Sequence, residues 1–269
     1  MIHYWQHLTS PELTDRVDQT GGRALAVLAL GAIEQHGPHL PLSTDLDIAN
    51  GLLDRALARV ADELEVLVLP PLALGASDEH AGFVGTLSLS ARQMHRQLKR
   101  IGAAVAAAGI RRLVLVNAHG GNIGWMGPAA LNLRRRHGLL VVKASYMTFR
   151  APDHLLGAEE LRLGLHGGQA ETAMMLHLHP ERVRIDRLQS FRSIAADQSA
   201  DALLGPEAEA SWAWLAEDLH ESGTVGDAAA ASAELGEQLV GFYADRLAGV
   251  LKESARTAVP QPALSPGNG

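Results

Sequence analysis

The chain has 269 residues, 47% of them apolar, 20% charged and 4% aromatic, and it contains no cysteine. That composition supports a large aliphatic core, excludes collagen-like, disordered and disulfide-scaffold classes, and leaves any metal to imidazole and carboxylate ligands rather than thiolates. The formal charge of −7, from 23 Lys+Arg against 30 Asp+Glu, gives no electrostatic reason to expect nucleic acid or an anionic membrane as a partner.

Residues 1–15 are polar and interrupted by Pro11, without the charged head and apolar stretch of a signal peptide. No apolar run approaches the roughly 20 residues that cross a bilayer, so a soluble, cytoplasmic protein is expected. Residues 24–30 form a continuous apolar run closed by Gly31, and 66–69, 113–116 and 139–142 are runs of the same kind. Short segments apolar on both faces suit parallel strands covered by helices on two sides. After the first run, Ala49, Leu52, Leu53, Ala56, Leu57 and Val60 form a helical stripe, and Thr44 with Asp47 has the spacing of a capping box. Helices are predicted over about 91–108 and 125–137, stopped by Gly109 and Gly138, and again over 167–178 and 228–251. Residues 183–226 show no clear pattern. The alternation predicts an α/β fold, a sandwich with a mostly parallel central sheet between helices, joined by right-handed crossovers. A single domain is expected over 1–256, followed by a Pro-rich disordered tail over 257–269.

Three segments carry chemistry. Glu34 and His36 stand just past the first strand, where ligands bind in open α/β sheets, and a spacing of two in extended backbone points both side chains the same way. Asp45 opens the following helix and can reach back to the same edge, although an Asp there also complements the helix dipole. The second segment, Asn117-Ala118-His119-Gly120-Gly121-Asn122, follows the third run. Gly120 and Gly121 let the backbone approach a ligand, while Asn117 and Asn122 offer hydrogen bonds or a helix cap. A glycine-rich turn here can instead cradle phosphate, but its spacing fits neither the dinucleotide fingerprint nor the P-loop, and it lacks a lysine. In the third segment, His166 precedes two glycines and Glu171 shares a helix face with Met174, Met175 and Leu178. A carboxylate on a buried face needs a cation, either an arginine or a metal. A further loop, residues 77–88, brings Glu79 and His80 to the same edge, where either can contact substrate.

Glu34-Gln35-His36-Gly37 with Thr44-Asp45, then Asn117 to Asn122, then His166-Gly167-Gly168 with Glu171-Thr172 resemble the creatininase family of metal-dependent amidohydrolases over about residues 27–180. Residues 85–88 and 223–227 resemble family features as well. The resemblance implies a compact α/β fold, two divalent metal ions per chain (zinc, manganese or iron), hydrolysis of an unusual amide C–N bond, and a homo-oligomer, often a hexamer. Carried onto this chain, it makes Glu34, His36, Asp45 and His119 metal ligands, with Asp45 the bridge, and His166 the proton-transfer residue. Creatinine-hydrolysing members carry a metal-binding glutamate two residues after the second motif's histidine, and here that position is Gly121. Glu171 is the expected replacement, both as a ligand and as a catalytic partner of His166. Substrate binding is expected at His80, Gly120, Gly121 and Asn122. Those relatives surround the site with bulky aromatics where this chain offers Met147 and Arg162, which argues against creatinine itself. The implied chemistry is hydroxide formed between two metals near neutral pH, attacking a small cyclic amide, a formamide or a peptide-like substrate. Two other readings stand beside it: a phosphate- or nucleotide-binding α/β enzyme using the Gly120-Gly121 turn, and a metal-binding protein without catalysis.

Overall fold

The computed structural model describes residues 1–149, 151–152, 154–199 and 201–259. Five parallel strands form the central sheet: β1 Ile2–Tyr4, β2 Leu25–Leu30, β3 Val66–Val68, β4 Arg112–Asn117 and β5 Leu140–Ser145, in the order β1-β3-β2-β4-β5. The helices in chain order are α1 Ser10–Gln19, α2 Thr44–Ala58, α3 Ala91–Ala107, α4 Ile123–His137, α5 Ala158–Leu163, α6 Gln169–Leu178, α7 Ala216–Leu219 and α8 Ala233–Arg256. All six residues of β2 are buried, because successive side chains enter different cores. Leu25, Val27 and Ala29 pack with α2, α6 and α8, while Ala26, Leu28 and Leu30 pack with α3 and α4. The sheet is therefore the middle of three layers, as its doubly apolar strands require.

Pairing of β2 with β4 runs in register from Leu25↔Arg112 to Leu30↔Asn117, so the two strands end flush and their following loops emerge side by side. From β2 the chain crosses to β3 on one side, whereas β4 and β5 extend the sheet on the other. The carboxyl ends of β2 and β4 thus flank the topological switch point, where an open α/β sheet leaves a crevice.

Several boundaries differ from expectation for local reasons. β1 is only three residues long, and α1 buries Val17 alone, so neither carries a hydrophobic pattern; a Thr9–Glu12 capping box starts α1 instead. Thr44 and Asp47 do not form a capping box. Ser43 is the N-cap, its hydroxyl donates to Asp47 at 2.8 Å, and Thr44 lies inside α2 with its hydroxyl on the Pro41 carbonyl. Gly109 and Gly138 close α3 and α4 with φ of +92° and +68°, as their positions suggested. Residues 183–226 hold short turns, α7 and two-residue ladders, elements too brief to have a period. Thr257, the first residue of the expected tail, is held by the Arg112 guanidinium, which donates to its carbonyl at 3.1 Å. Residues 260–269 lie outside the described residues. Among the described residues no helix is long and apolar enough to cross a membrane.

Candidate metal centre

Glu34, His36, Asp45, His119, His166 and Glu171 converge at the β2–β4 crevice. The loop after β2 supplies Glu34 and His36, the first turn of α2 supplies Asp45, the loop after β4 supplies His119, and the first turn of α6 supplies Glu171. His119 Nδ1 lies 3.3 Å from Glu34 Oε1 and 3.4 Å from Asp45 Oδ2. His36 Nε2 lies 3.4 Å from Asp45 Oδ1 and 3.9 Å from Glu171 Oε2. Ligand-type atoms of Glu34, Asp45 and His119 fall within 4.8 Å of one another, and so do those of His36, Asp45 and Glu171, with Asp45 common to both sets. His166 joins Glu34 and His36 in a third such set.

Backbone carbonyls fix which end of each neutral ring is bare. A carbonyl only accepts, so the nitrogen facing it carries the hydrogen. His119 Nε2 donates to Ala76 O at 2.7 Å, His36 Nδ1 to Glu34 O at 3.1 Å, and His166 Nε2 to Gln35 O at 2.7 Å. The opposite nitrogens therefore present lone pairs to carboxylates, the arrangement in which metal-bound imidazoles are held from behind. Glu34 Oε1 and Oε2, His36 Nε2 and Asp45 Oδ2 are buried without a hydrogen-bond partner. Each such atom costs about 1–3 kcal/mol, and more when charged, unless a proton or cation lies between them.

The charges point the same way. Burial works to lower His119, yet Glu34 and then Asp45 raise its pKa to about 10. His36 likewise rises to about 9, with Asp45 and Glu171 overcoming burial. Burial, followed by the charge of Glu34, lifts Asp45 to about 7. For Glu34 burial is opposed by His119, His166 and His80, which together hold it well below the usual carboxylate range. The protein groups alone thus draw protons onto two imidazoles, and divalent cations would replace that positive charge.

Glu171 falls within one set with His36 and Asp45. Its Oε1 accepts from the Tyr146 hydroxyl at 3.1 Å and its Oε2 from the Gly167 N–H at 2.7 Å. A side chain at Gly121 has no room: its Cβ would lie 2.1 Å from Ala76 O and 2.6 Å from Glu79 Oε1. The glycine that departs from the creatinine-hydrolysing pattern is thus required by the packing of the 76–79 loop.

The four expected substrate contacts behave differently. Asn122 is buried and its amide is fully used, accepting from Ala76 N and Trp125 Nε1 and donating to Gly31 O and Asn117 Oδ1, so it braces the turn and has nothing left for a ligand. His80 is buried behind Glu34, its Nε2 3.4 Å from Glu34 Oε1, and supports that carboxylate rather than facing outward. Gly121 packs on the Ala76 carbonyl. Gly120 is exposed, with open space where a side chain would be. Met147 is 40% exposed beside Tyr146, while Arg162 lines a separate 390 Å³ surface cavity with Ala195, Gln198, Leu203 and Glu209. Sequence reasoning missed Tyr146 and Gln35. Tyr146 directly follows β5 at the carboxyl edge of the sheet, and that position was the available signal.

Fold and cage together define an α/β enzyme whose centre is made of metal-ligand-type side chains at a switch point. A family model described as creatinine amidohydrolase matches residues 6–251, and the chain belongs to the creatininase family of amidohydrolases. A mycofactocin precursor peptide peptidase of Mycobacterium tuberculosis (strain CDC 1551 / Oshkosh) is 39% identical over 167 residues, 60% of this chain and 61% of that protein, so the match spans about three fifths of the relative's length. The creatinine amidohydrolase of Pseudomonas putida is 34% identical over 202 residues, 67% of this chain and 74% of that one. A solved structure named "Creatininase Mn" superposes with a TM-score of 0.78 at 27% identity, covering 96% of this chain and 100% of the other.

Proposed function

We propose that the chain is a two-metal amidohydrolase cleaving the C–N amide bond of a small cyclic amide, a formamide or a peptide-like substrate. The observation that carries this reading is the set of buried, partnerless atoms on Glu34, His36 and Asp45, flanked by the bare Nδ1 of His119. Glu34, Asp45 and His119 would hold one ion and His36, Asp45 and Glu171 the other, with Asp45 shared. A His and carboxylate set of this kind suits zinc, manganese or iron. When bound, such ions acidify water and polarise a carbonyl.

The remaining steps belong to the chain's own residues. His166 keeps one hydrogen on Gln35 O and has Nδ1 free, 3.8 Å from Glu34 Oε1. Burial and then His36 lower its pKa to about 4, so the ring is neutral at pH 7 and its unprotonated Nδ1 faces the cage, where a proton would pass to a departing nitrogen. Tyr146 and the Gly167 N–H hold Glu171 aligned with His36. The relatives named for creatinine and for a precursor peptide support an amide of compact or peptide-like shape. Exposed Leu203, Leu204 and Leu215 support association of copies, and the reading takes the protein as a cytoplasmic homo-oligomer, checked by light scattering of purified protein.

Elemental analysis with a hydrolysis panel of lactams, formamides, hydantoins and short peptides tests the proposal. Two transition-metal ions per chain and turnover of one substrate class are expected. Metal-free protein that binds nucleotides would overturn it.

A further inference from the structure

Gln35 lies between two candidate ligands, yet its side chain points away from the cage. Its amide is buried and wholly engaged. Oε1 accepts from the Gly37 N–H at 2.9 Å, and Nε2 donates to the Gly223 carbonyl at 2.6 Å. These two backbone groups decide which end of the amide is nitrogen, independently of anything else nearby. The same Nε2 lies 2.8 Å from His80 Nδ1. An amide nitrogen only donates, so His80 Nδ1 must be the bare nitrogen and its hydrogen sits on Nε2. That nitrogen faces Glu34 Oε1 at 3.4 Å. Gly223 permits the approach, since a Cβ there would fall 2.6 Å from Gln35 Nε2.

We infer that Gln35 is a positioning residue: it sets the tautomer of His80, so that a neutral N–H rather than a lone pair is aimed at Glu34. Its backbone carbonyl does the complementary task for His166, whose ring lies against His80 with centroids 4.2 Å apart. Two imidazoles in tilted contact, with the same tautomer, thus show Glu34 Oε1 opposite faces of their chemistry. His80 offers a hydrogen, while His166 offers a lone pair at 3.8 Å. Glu34 meets a long N–H contact from one side, and the bare Nδ1 of His166 is left free on the other. With the opposite tautomer of His80, two lone pairs and a carboxylate would meet with no hydrogen among them. The inference rests on the metal reading for its consequence, though the tautomer itself stands without it.

The test is long-range ¹H–¹⁵N correlation of the histidine rings in zinc-loaded and metal-free protein, together with competitive zinc titration. Wild type is expected to show His80 with bare Nδ1 and protonated Nε2. Gln35→Glu places an acceptor opposite Nδ1, which moves the hydrogen there or protonates the ring, and zinc affinity of the Glu34 half is expected to fall about 10–100-fold, the usual loss when a ligand's outer partner is removed. His80→Phe keeps a ring against His166 but removes the donor, and the same fall is expected. If Gln35 acts through His80, the double variant loses no more than either single one. A wild-type His80 carrying its hydrogen on Nδ1 would overturn the inference, even if no variant folds. So would an additive double variant. Wild-type protein that binds no zinc would remove the metal reading and still leave the tautomer to judge Gln35.

Discussion

The two halves of the cage differ in what holds their carboxylates. Glu34 is fully buried and no hydrogen bond reaches either of its oxygens, the His80 N–H standing off at 3.4 Å. Glu171, whose side chain is 15% exposed, receives the Tyr146 hydroxyl and the Gly167 N–H. An acid without donors depends on cations for its place in a core, whereas an acid held by two donors keeps its position with or without one. The inner carboxylate is therefore held by charge and the outer one by hydrogen bonds, and the two are expected to fail in different ways.

Glu34→Gln is the hardest blow to that contrast. It removes the charge on which His119 relies and places an amide where no partner exists, so metal affinity of the inner half is expected to fall more than about 100-fold, with loss of hydrolysis. Metal analysis after gel filtration checks it, and a variant that keeps two ions and full turnover would erase the distinction. Glu171→Gln is milder. The amide oxygen can still accept from one of the two donors, so the expected result is loss of one ion only, with metal content falling from about two per chain to about one. If both ions leave together, the halves are not independent. Tyr146→Phe sharpens the comparison further, because it removes one of the two donors and leaves the carboxylate. The expected loss is about 10-fold in affinity for the outer ion alone, read by chelator competition.

Most of this cage could be read before the fold was seen, for a physical reason. Candidate metal ligands come from few residue types, and here they directly follow buried strands or open helices, so Glu34, His36, Asp45, His119 and Glu171 sit at marked positions in the chain. The β2 and β4 runs were equally plain, being apolar on both faces. What supports the cage was hidden. Tyr146 reads as a core aromatic, and its bond to Glu171 joins residues 25 apart in sequence. Asn122 and His80 read as substrate contacts because they are polar residues on a functional edge, but the Gly31 carbonyl that Asn122 reaches and the Gln35 amide beside His80 are brought to them only by tertiary packing. A polar side chain states what it can bond and not with whom. Residues 183–226 stayed unread because two-residue ladders and single turns have no period.

The smallest effect on activity is expected from pH. In metal-free protein His36 and His119 are raised from 6.5 to about 9 and about 10, so the stability they contribute is fully present below 6.5 and is lost as pH rises through those values. Asp45, raised from 3.8 to about 7, adds a loss in the same direction across that lower window. Glu34 opposes this only in acid: its contribution is present above 4.5 and fades as pH falls through its depressed value. Metal-free protein is therefore expected to melt at progressively lower temperature from neutral to alkaline pH. Zinc reverses the slope, because the same imidazoles must give up their protons to bind it, and each step upward in pH removes a competitor. The gap between melting temperatures with zinc and with chelator is thus expected to widen from about pH 6 to about pH 9. A gap that stays flat would mean that protons and ions are held by different groups, and the charge-built inner half would lose its basis.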